Sequence, residues 1–397
     1  MSEQKGSQAA MSRRLFIAST AAVGAMGLIP AHLRAKVQDT GRAVLFPLAQ
    51  GQFKDNGATP WYARVYVGTP GQQMTVMMDT GTANTWVTSS LCDTPACAAK
   101  AYSYDSARST TYRAVPGAVW QKNALGAWGE FASLAGRDVV RFGTGEQGKL
   151  RMKFLSAKLR DAPGSTNWRD LDMCGGVGFP VVFADPQQPN QPESLLPEML
   201  RRGLAARAEV CFWMDGDTGA CLVGARDETR CRKSVENAVF LAPVAEKLNL
   251  WAIQLDQFMA GAVPLLGRPV NLALDTGSSR FKGSPVLIRR LAERIRRQKD
   301  GSKLPAFFSD PAILRQYPRL TLIINGRRYT LKPRDYIKKI AGRGYSLQFH
   351  PLDVGDADTI LVGSLLLEHV YTLFEYQQAK GTPYGLRGHK VFLYARP

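Results

Sequence analysis

Apolar residues along the chain recur mostly in short runs, many with a period of two, bounded by Gly, Pro, Asn and Asp. Residues 64–67, 74–78, 139–142, 210–213 and 320–324 are such runs, and each predicts a β-strand. Helical periodicity is scarce. It predicts helices at 194–203 (SLLPEMLRRG, with Gly at its end) and at 285–298, where Leu291 and Ile295 lie four apart on an otherwise basic stretch. The pattern is that of a mostly β protein, and a chain of 397 residues is long for one domain, so two lobes are expected.

The pattern then repeats loosely. Trp61-Tyr62-Ala63-Arg64-Val65 precedes Met77-Met78-Asp79-Thr80-Gly81-Thr82-Ala83, and Trp251-Ala252-Ile253-Gln254-Leu255 precedes Ala273-Leu274-Asp275-Thr276-Gly277-Ser278-Ser279. Downstream of each Asp, at similar offsets, comes a Gly-containing apolar turn: Met173-Cys174-Gly175-Gly176 and Ile360-Leu361-Val362-Gly363. Two similar halves, each offering one Asp, are what a two-fold pair of acids requires.

The residue types around each Asp suit a paired-carboxylate site. An apolar strand buries the stem of the side chain. Gly81 and Gly277 permit a tight turn, so that backbone N–H groups can face the carboxylate oxygens. Thr80 and Thr276 are placed to lock the two loops to each other, and Thr82 and Ser278 to donate a hydroxyl to the outer carboxylate oxygen. Two carboxyls held in contact cannot both ionise easily, so they share a proton and can act as acid and base on one water. A single Asp-Thr-Gly is a weak signal; two copies in matching contexts are a strong one. Neither a metal nor a cofactor is expected. There is no Cys-x-x-Cys, and His32, His350, His369 and His389 are not near any cysteine.

Charge adds little to this picture. The formal net charge is +18, densest at 289–297 (RRLAERIRR), but no zinc-finger, RNA-binding or basic-zipper pattern accompanies it, so a solvated basic surface is expected and not a nucleic-acid partner. The N-terminus is more informative. Ser12-Arg13-Arg14-Leu15-Phe16-Ile17 followed by a mild apolar stretch to Pro30 resembles a twin-arginine export signal, assigned to residues 1–35. That stretch is too short and too rich in Ala, Gly and Ser to span a bilayer, and no later one is suited to it. A periplasmic or secreted monomer without an integral membrane segment is expected. Six cysteines fit an oxidising compartment. Cys92 and Cys97, in a turn-like segment (CDTPAC), form the first expected pair; Cys211 and Cys221 flank a turn and are placed to bridge a hairpin; Cys174 and Cys231 remain, and the connectivity is open.

From about Val44 to the C-terminus these residues resemble the pepsin family of aspartic proteases. Residues 62–86 (YARVYVGTPGQQMTVMMDTGTANTW) carry the likeness most closely, and the export signal points to the prokaryotic members of the family. The resemblance implies a bilobal, mostly β acid-protease fold with two pseudo-two-fold lobes and a cleft between them, divided here as 36–234 and 235–397. It implies an aspartic endopeptidase acting on an extended polypeptide, with Asp79 and Asp275 catalytic, and a disulfide at Cys92–Cys97. It also implies a flap at Arg141-Phe142-Gly143-Thr144-Gly145 that closes over substrate, and Trp86 beside the active site. Two positions depart from the family: Phe142 stands where Tyr is usual, and Ser364 where Asp is usual. A catalytically weak or inactive binding protein on the same fold is the alternative reading.

Overall fold

The architecture is described from a computed structural model, which describes residues 42–125, 129–142, 149–161, 168–232 and 237–395. The expected signal at 1–35, the flap residues Gly143 and Thr144, and the division at 234/235 lie outside these.

The alternating runs form the expected strands. Trp61–Val67 buries Trp61, Ala63, Val65 and Val67 and turns the residues between them outward. It pairs antiparallel with Gln72–Asp79, setting Val65 opposite Met74, and with the end of Gly129–Phe142, setting Val65 opposite Phe142. Gly129–Phe142 and Lys149–Asp161 form a long antiparallel pair along one side. Among the described residues the strands fall into sheets of fourteen, five, four and three. The largest joins the two halves of the chain, because Val370–Gln378 pairs with Glu209–Asp215 and with Leu386–Ala395. The fold is mostly β and bilobal.

The loose repeat of the sequence becomes a repeat of topology. In the first half, Gln72–Asp79 runs antiparallel to Trp61–Val67 and parallel to Gly175–Gly178. In the second, Val270–Leu274 runs antiparallel to Trp251–Leu255 and parallel to Thr359–Val362. A short strand then follows each Asp-Thr-Gly loop and lies antiparallel to the returning strand. Trp86 faces Gly176 there, and Lys282 faces Leu361. The register corrects one detail of the sequence comparison. Asp79 pairs with Gly178, and Leu274 with Val362, so the counterpart of Gly363 is Gly178 and not Gly176.

Both helices form. Leu195–Arg201 ends before Gly203, whose φ of 68° suits glycine. Pro285–Arg296 starts from Ser284, whose hydroxyl accepts from the Leu287 N–H, and it buries Leu287, Ile288, Leu291 and Ile295 beneath its arginines.

Cys92 and Cys97 are bridged, with Cα atoms 5.9 Å apart. The expected Cys211–Cys221 bridge is not formed; both are free thiols, as are Cys174 and Cys231. The reason is register. Cys221 faces Phe212 and Cys211 faces Leu222, so neighbouring positions send the two thiols to opposite faces of the hairpin.

Candidate active site

The strands Gln72–Asp79 and Val270–Leu274 end at the same place, and the loops that follow are locked to each other. The Thr80 N–H donates to Thr276 Oγ1 at 3.0 Å, and the Thr276 N–H donates to Thr80 Oγ1 at 3.0 Å. Each hydroxyl then donates across the junction, Thr80 to the Leu274 carbonyl at 3.0 Å and Thr276 to the Met78 carbonyl at 2.6 Å. All are buried, so each bond replaces one that water cannot supply.

This lock sets the two carboxyls against each other. Each rests on the glycine of the opposite loop: a methyl at Gly277 would come within 2.5 Å of Asp79 Cγ, and one at Gly81 within 2.8 Å of Asp275 Cγ. No other residue leaves that space. Asp79 Oδ1 accepts from the Gly81 N–H at 2.7 Å. Asp275 Oδ1 accepts from the Gly277 N–H at 2.9 Å, and its Oδ2 accepts from Ser278 Oγ at 2.7 Å. Burial first, and the neighbouring Asp275 second, push the Asp79 carboxyl well above the ordinary range; the Gly81 N–H and the Lys282 ammonium oppose this.

The other expected site residues divide. Ser278 donates to its carboxylate as foreseen. Thr82 does not mirror it among the described residues, since its hydroxyl accepts from the Asn84 N–H at 3.1 Å. Trp86 is fully buried, lies over Phe131 at 5.8 Å and meets Trp168 edge-on at 5.6 Å. Its indole N–H has no partner among the described residues. Phe142 is 1% exposed and packs edge-on against Phe46 at 5.7 Å, so its ring belongs to the core of the first lobe.

Sequence reasoning missed the polar group behind Asp275. Lys282 is buried; its ammonium donates to Ser278 Oγ at 2.8 Å and to the Gly57 carbonyl at 3.1 Å. Burial pulls it down to about 8, against the attraction of Asp275. Arg280 donates to Asp55 at 2.6 Å, and His350, opposite Lys282 in the sheet, is held down to about 4 by burial and by Arg280. The signal for Lys282 was present: it is the seventh residue after its Asp, as Trp86 is after Asp79. Elsewhere, a groove beside Leu195–Arg201, lined by Pro197, Leu200, Tyr384 and Leu386, offers no acid–base pair. No helix among the described residues is long and apolar enough to cross a membrane, and no cluster of three or more metal-ligating side chains occurs among them.

Two lobes that each deliver a loop-borne carboxyl to a shared contact define the acid-protease class of fold. Comparison with known proteins agrees. The family model for eukaryotic aspartyl protease matches residues 60–381, and the chain belongs to that family. It is 24% identical to cathepsin D of Dictyostelium discoideum, over 80% of this chain and 80% of that one. It is 27% identical to cathepsin E of Rattus norvegicus, over 79% of this chain and 77% of the relative. It is 25% identical to a probable vacuolar protease A of Arthroderma benhamiae, over 81% and 77%. The protein is an aspartic-type endopeptidase, a hydrolase of polypeptides.

Proposed function

We propose that Asp79 and Asp275 are the catalytic pair of this endopeptidase, with Asp79 holding the shared proton and Asp275 ionised. The observation that carries the reading is the crosswise contact of each carboxyl with the glycine of the other loop, which leaves room for the two acids and for nothing larger. The uneven support of the pair favours the proton assignment, because Asp275 accepts from both a backbone N–H and a hydroxyl, and Asp79 from a backbone N–H alone.

In this reading a water held between the acids gives a proton to the Asp275 carboxylate as its oxygen attacks the peptide carbonyl carbon. Asp79 gives its proton to the carbonyl oxygen, which becomes a hydroxyl of the tetrahedral intermediate. Collapse returns that hydroxyl proton to Asp79 as the carbonyl re-forms, while the proton on Asp275 passes to the departing nitrogen. The C–N bond breaks, one acid and one amine leave, and both carboxyls regain their starting states. Thr80, Gly81, Thr276 and Gly277 hold the acids, Ser278 supports the ionised one, and Thr82 braces its own loop. Phe142 anchors a flap whose Gly143 and Thr144 cover the substrate, with Trp86 packed beneath the first loop.

The boundaries 1–35, 36–234 and 235–397 complete the proposal, as does a monomeric state. The paired arginines at Arg13 and Arg14 support a bacterial source and twin-arginine export to the periplasm or beyond. The test is cleavage of an extended peptide at acid pH by the parent, by Asp79→Asn and by Asp275→Asn. Loss in both variants, with a pepstatin-type inhibitor blocking the parent, is expected. Undiminished cleavage by either variant overturns the reading, and no cleavage by the parent at any pH leaves the non-catalytic alternative in its place.

A further inference from the structure

A buried cation directly behind a catalytic-type carboxyl needs a reason, because burying an ammonium is costly unless its interactions are used. The Lys282 ammonium donates to Ser278 Oγ at 2.8 Å and to the Gly57 carbonyl at 3.1 Å. An ammonium has only donors. It therefore occupies a lone pair of the Ser278 hydroxyl and leaves that hydroxyl to spend its single hydrogen elsewhere. The hydrogen goes to Asp275 Oδ2, at 2.7 Å. The direction of the whole chain, from ammonium to hydroxyl to carboxylate, is thus fixed by the chemistry of its first member.

We infer that Lys282 is a positioning residue for the hydrolytic pair, acting through Ser278 to keep Asp275 the proton acceptor and to set the enzyme's working range at lower pH than the two acids alone would give. The inference rests on the assignment of Asp79 and Asp275 as the catalytic pair. It is specific to the second lobe. Trp86 occupies the matching place in the first, facing Gly176 as Lys282 faces Leu361, and Thr82 is engaged by Asn84. The charged and titratable groups around Lys282 are Asp275 and Asp79 on the pair, Arg280 on its own segment, His350 on the adjoining strand, and Asp55, which pairs with Arg280. Of these groups, Lys282 donates to the Ser278 hydroxyl and Asp275 accepts from it, so the hydroxyl stands between the two.

The sign follows from Coulomb attraction. A cation beside the pair favours every ionised state of it, so its removal raises both ionisations that bound the active, singly protonated form. The experiment is kcat/KM against pH, from about pH 3 to pH 8, on an extended peptide, with the parent, Lys282→Met and Ser278→Ala. Lys282→Met is expected to move both limbs to higher pH by about one unit, and Ser278→Ala to move the acid limb upward by less. Limb positions are independent of how much enzyme folds, so partial loss of folded protein does not mimic the result. Limbs of Lys282→Met within about 0.2 unit of the parent, or displaced to lower pH, overturn the inference. If Lys282→Met yields no measurable activity, Ser278→Ala carries the test, and an unmoved acid limb overturns it. Asp79→Asn and Asp275→Asn in the same assay separate the two claims. If either stays active, the catalytic assignment fails; if both are dead and the limbs of Lys282→Met do not move, the role of Lys282 alone fails.

Discussion

The two Asp-Thr-Gly loops of this protease share a backbone and differ in their chemistry. Both present Asp-Thr-Gly at the end of an apolar strand, and both exchange threonine hydrogen bonds of 3.0 Å with the other. Behind the first stands an aromatic cluster of Trp86, Phe131 and Trp168. Behind the second stands a cluster of Lys282, Arg280, His350 and Asp55. The lesson is that a two-fold scaffold brings the acids together, while departures from the two-fold surround them with different groups. Burial favours the neutral form of Asp79, while Asp275 is met by a hydroxyl that a cation backs.

The sharpest way to break this comparison is to neutralise each acid in turn. Asp79→Asn and Asp275→Asn are each expected to lower kcat/KM by about a thousand-fold or more, since neither lobe retains both acid and base. Stability should separate them. The raised ionisation of Asp79 means that the folded state binds its proton more tightly than the unfolded state, so the parent loses stability as pH rises from 3.8 toward the folded value. Asp79→Asn removes that loss, and its thermal midpoint at neutral pH is expected to exceed the parent's.

Linkage at Lys282 gives the next largest effect. Its ionisation falls from 10.5 to about 8 on folding, so the charged form is penalised in the fold below that value and the penalty fades as pH rises to 10.5. Relative to Lys282→Met, the parent should gain on the order of 3 kcal/mol of unfolding free energy between pH 8 and pH 10.5, measured by denaturant titration. A constant difference across that window would show that the lysine is not desolvated. Trp86→Phe, at the matching place in the first lobe, should show no such slope.

The threonine lock is the symmetric part of the comparison, so Thr80→Ala and Thr276→Ala should cost alike. Each leaves a buried N–H and a buried carbonyl of the other loop without their partner, worth roughly 2–3 kcal/mol. Serine at either position should restore most of it. Unequal costs would mean that the lock is less two-fold than its distances. The smallest effect concerns the Cys92–Cys97 bridge, a feature of the first lobe. Replacing both cysteines by alanine should cost about 2 kcal/mol, from the entropy of so short a loop, and leave kcat/KM near the parent's.

Much of this was legible before any coordinates. The acids, their glycines and the locking threonines lie within short contiguous motifs whose chemistry can be read locally. The bridge between Cys92 and Cys97 is likewise local. What could not be read depended on register and burial across the chain. Gly176 and Gly178 differ by one pleat, and only pairing with the Asp79 strand decides between them. The thiols of Cys211 and Cys221 look poised for a bridge until the hairpin register sends them to opposite faces. Phe142 reads as a residue above the substrate, yet it faces Phe46 because its strand alternates and its neighbour Val140 also points into the core. The place of Lys282, seven residues after Asp275, is visible in the sequence, but that Gly57 of the first lobe covers it is not.

The central claim is that two acids share one proton, and that the proton resides on Asp79. The most direct measurement is the infrared difference spectrum of parent minus Asp79→Asn at about pH 5, where an ordinary solvated aspartate is ionised. The account predicts a carboxylic C=O stretch from a single protonated group, present in the parent and absent from the variant. A difference containing only carboxylate bands would mean that Asp79 is ionised there, and would contradict it.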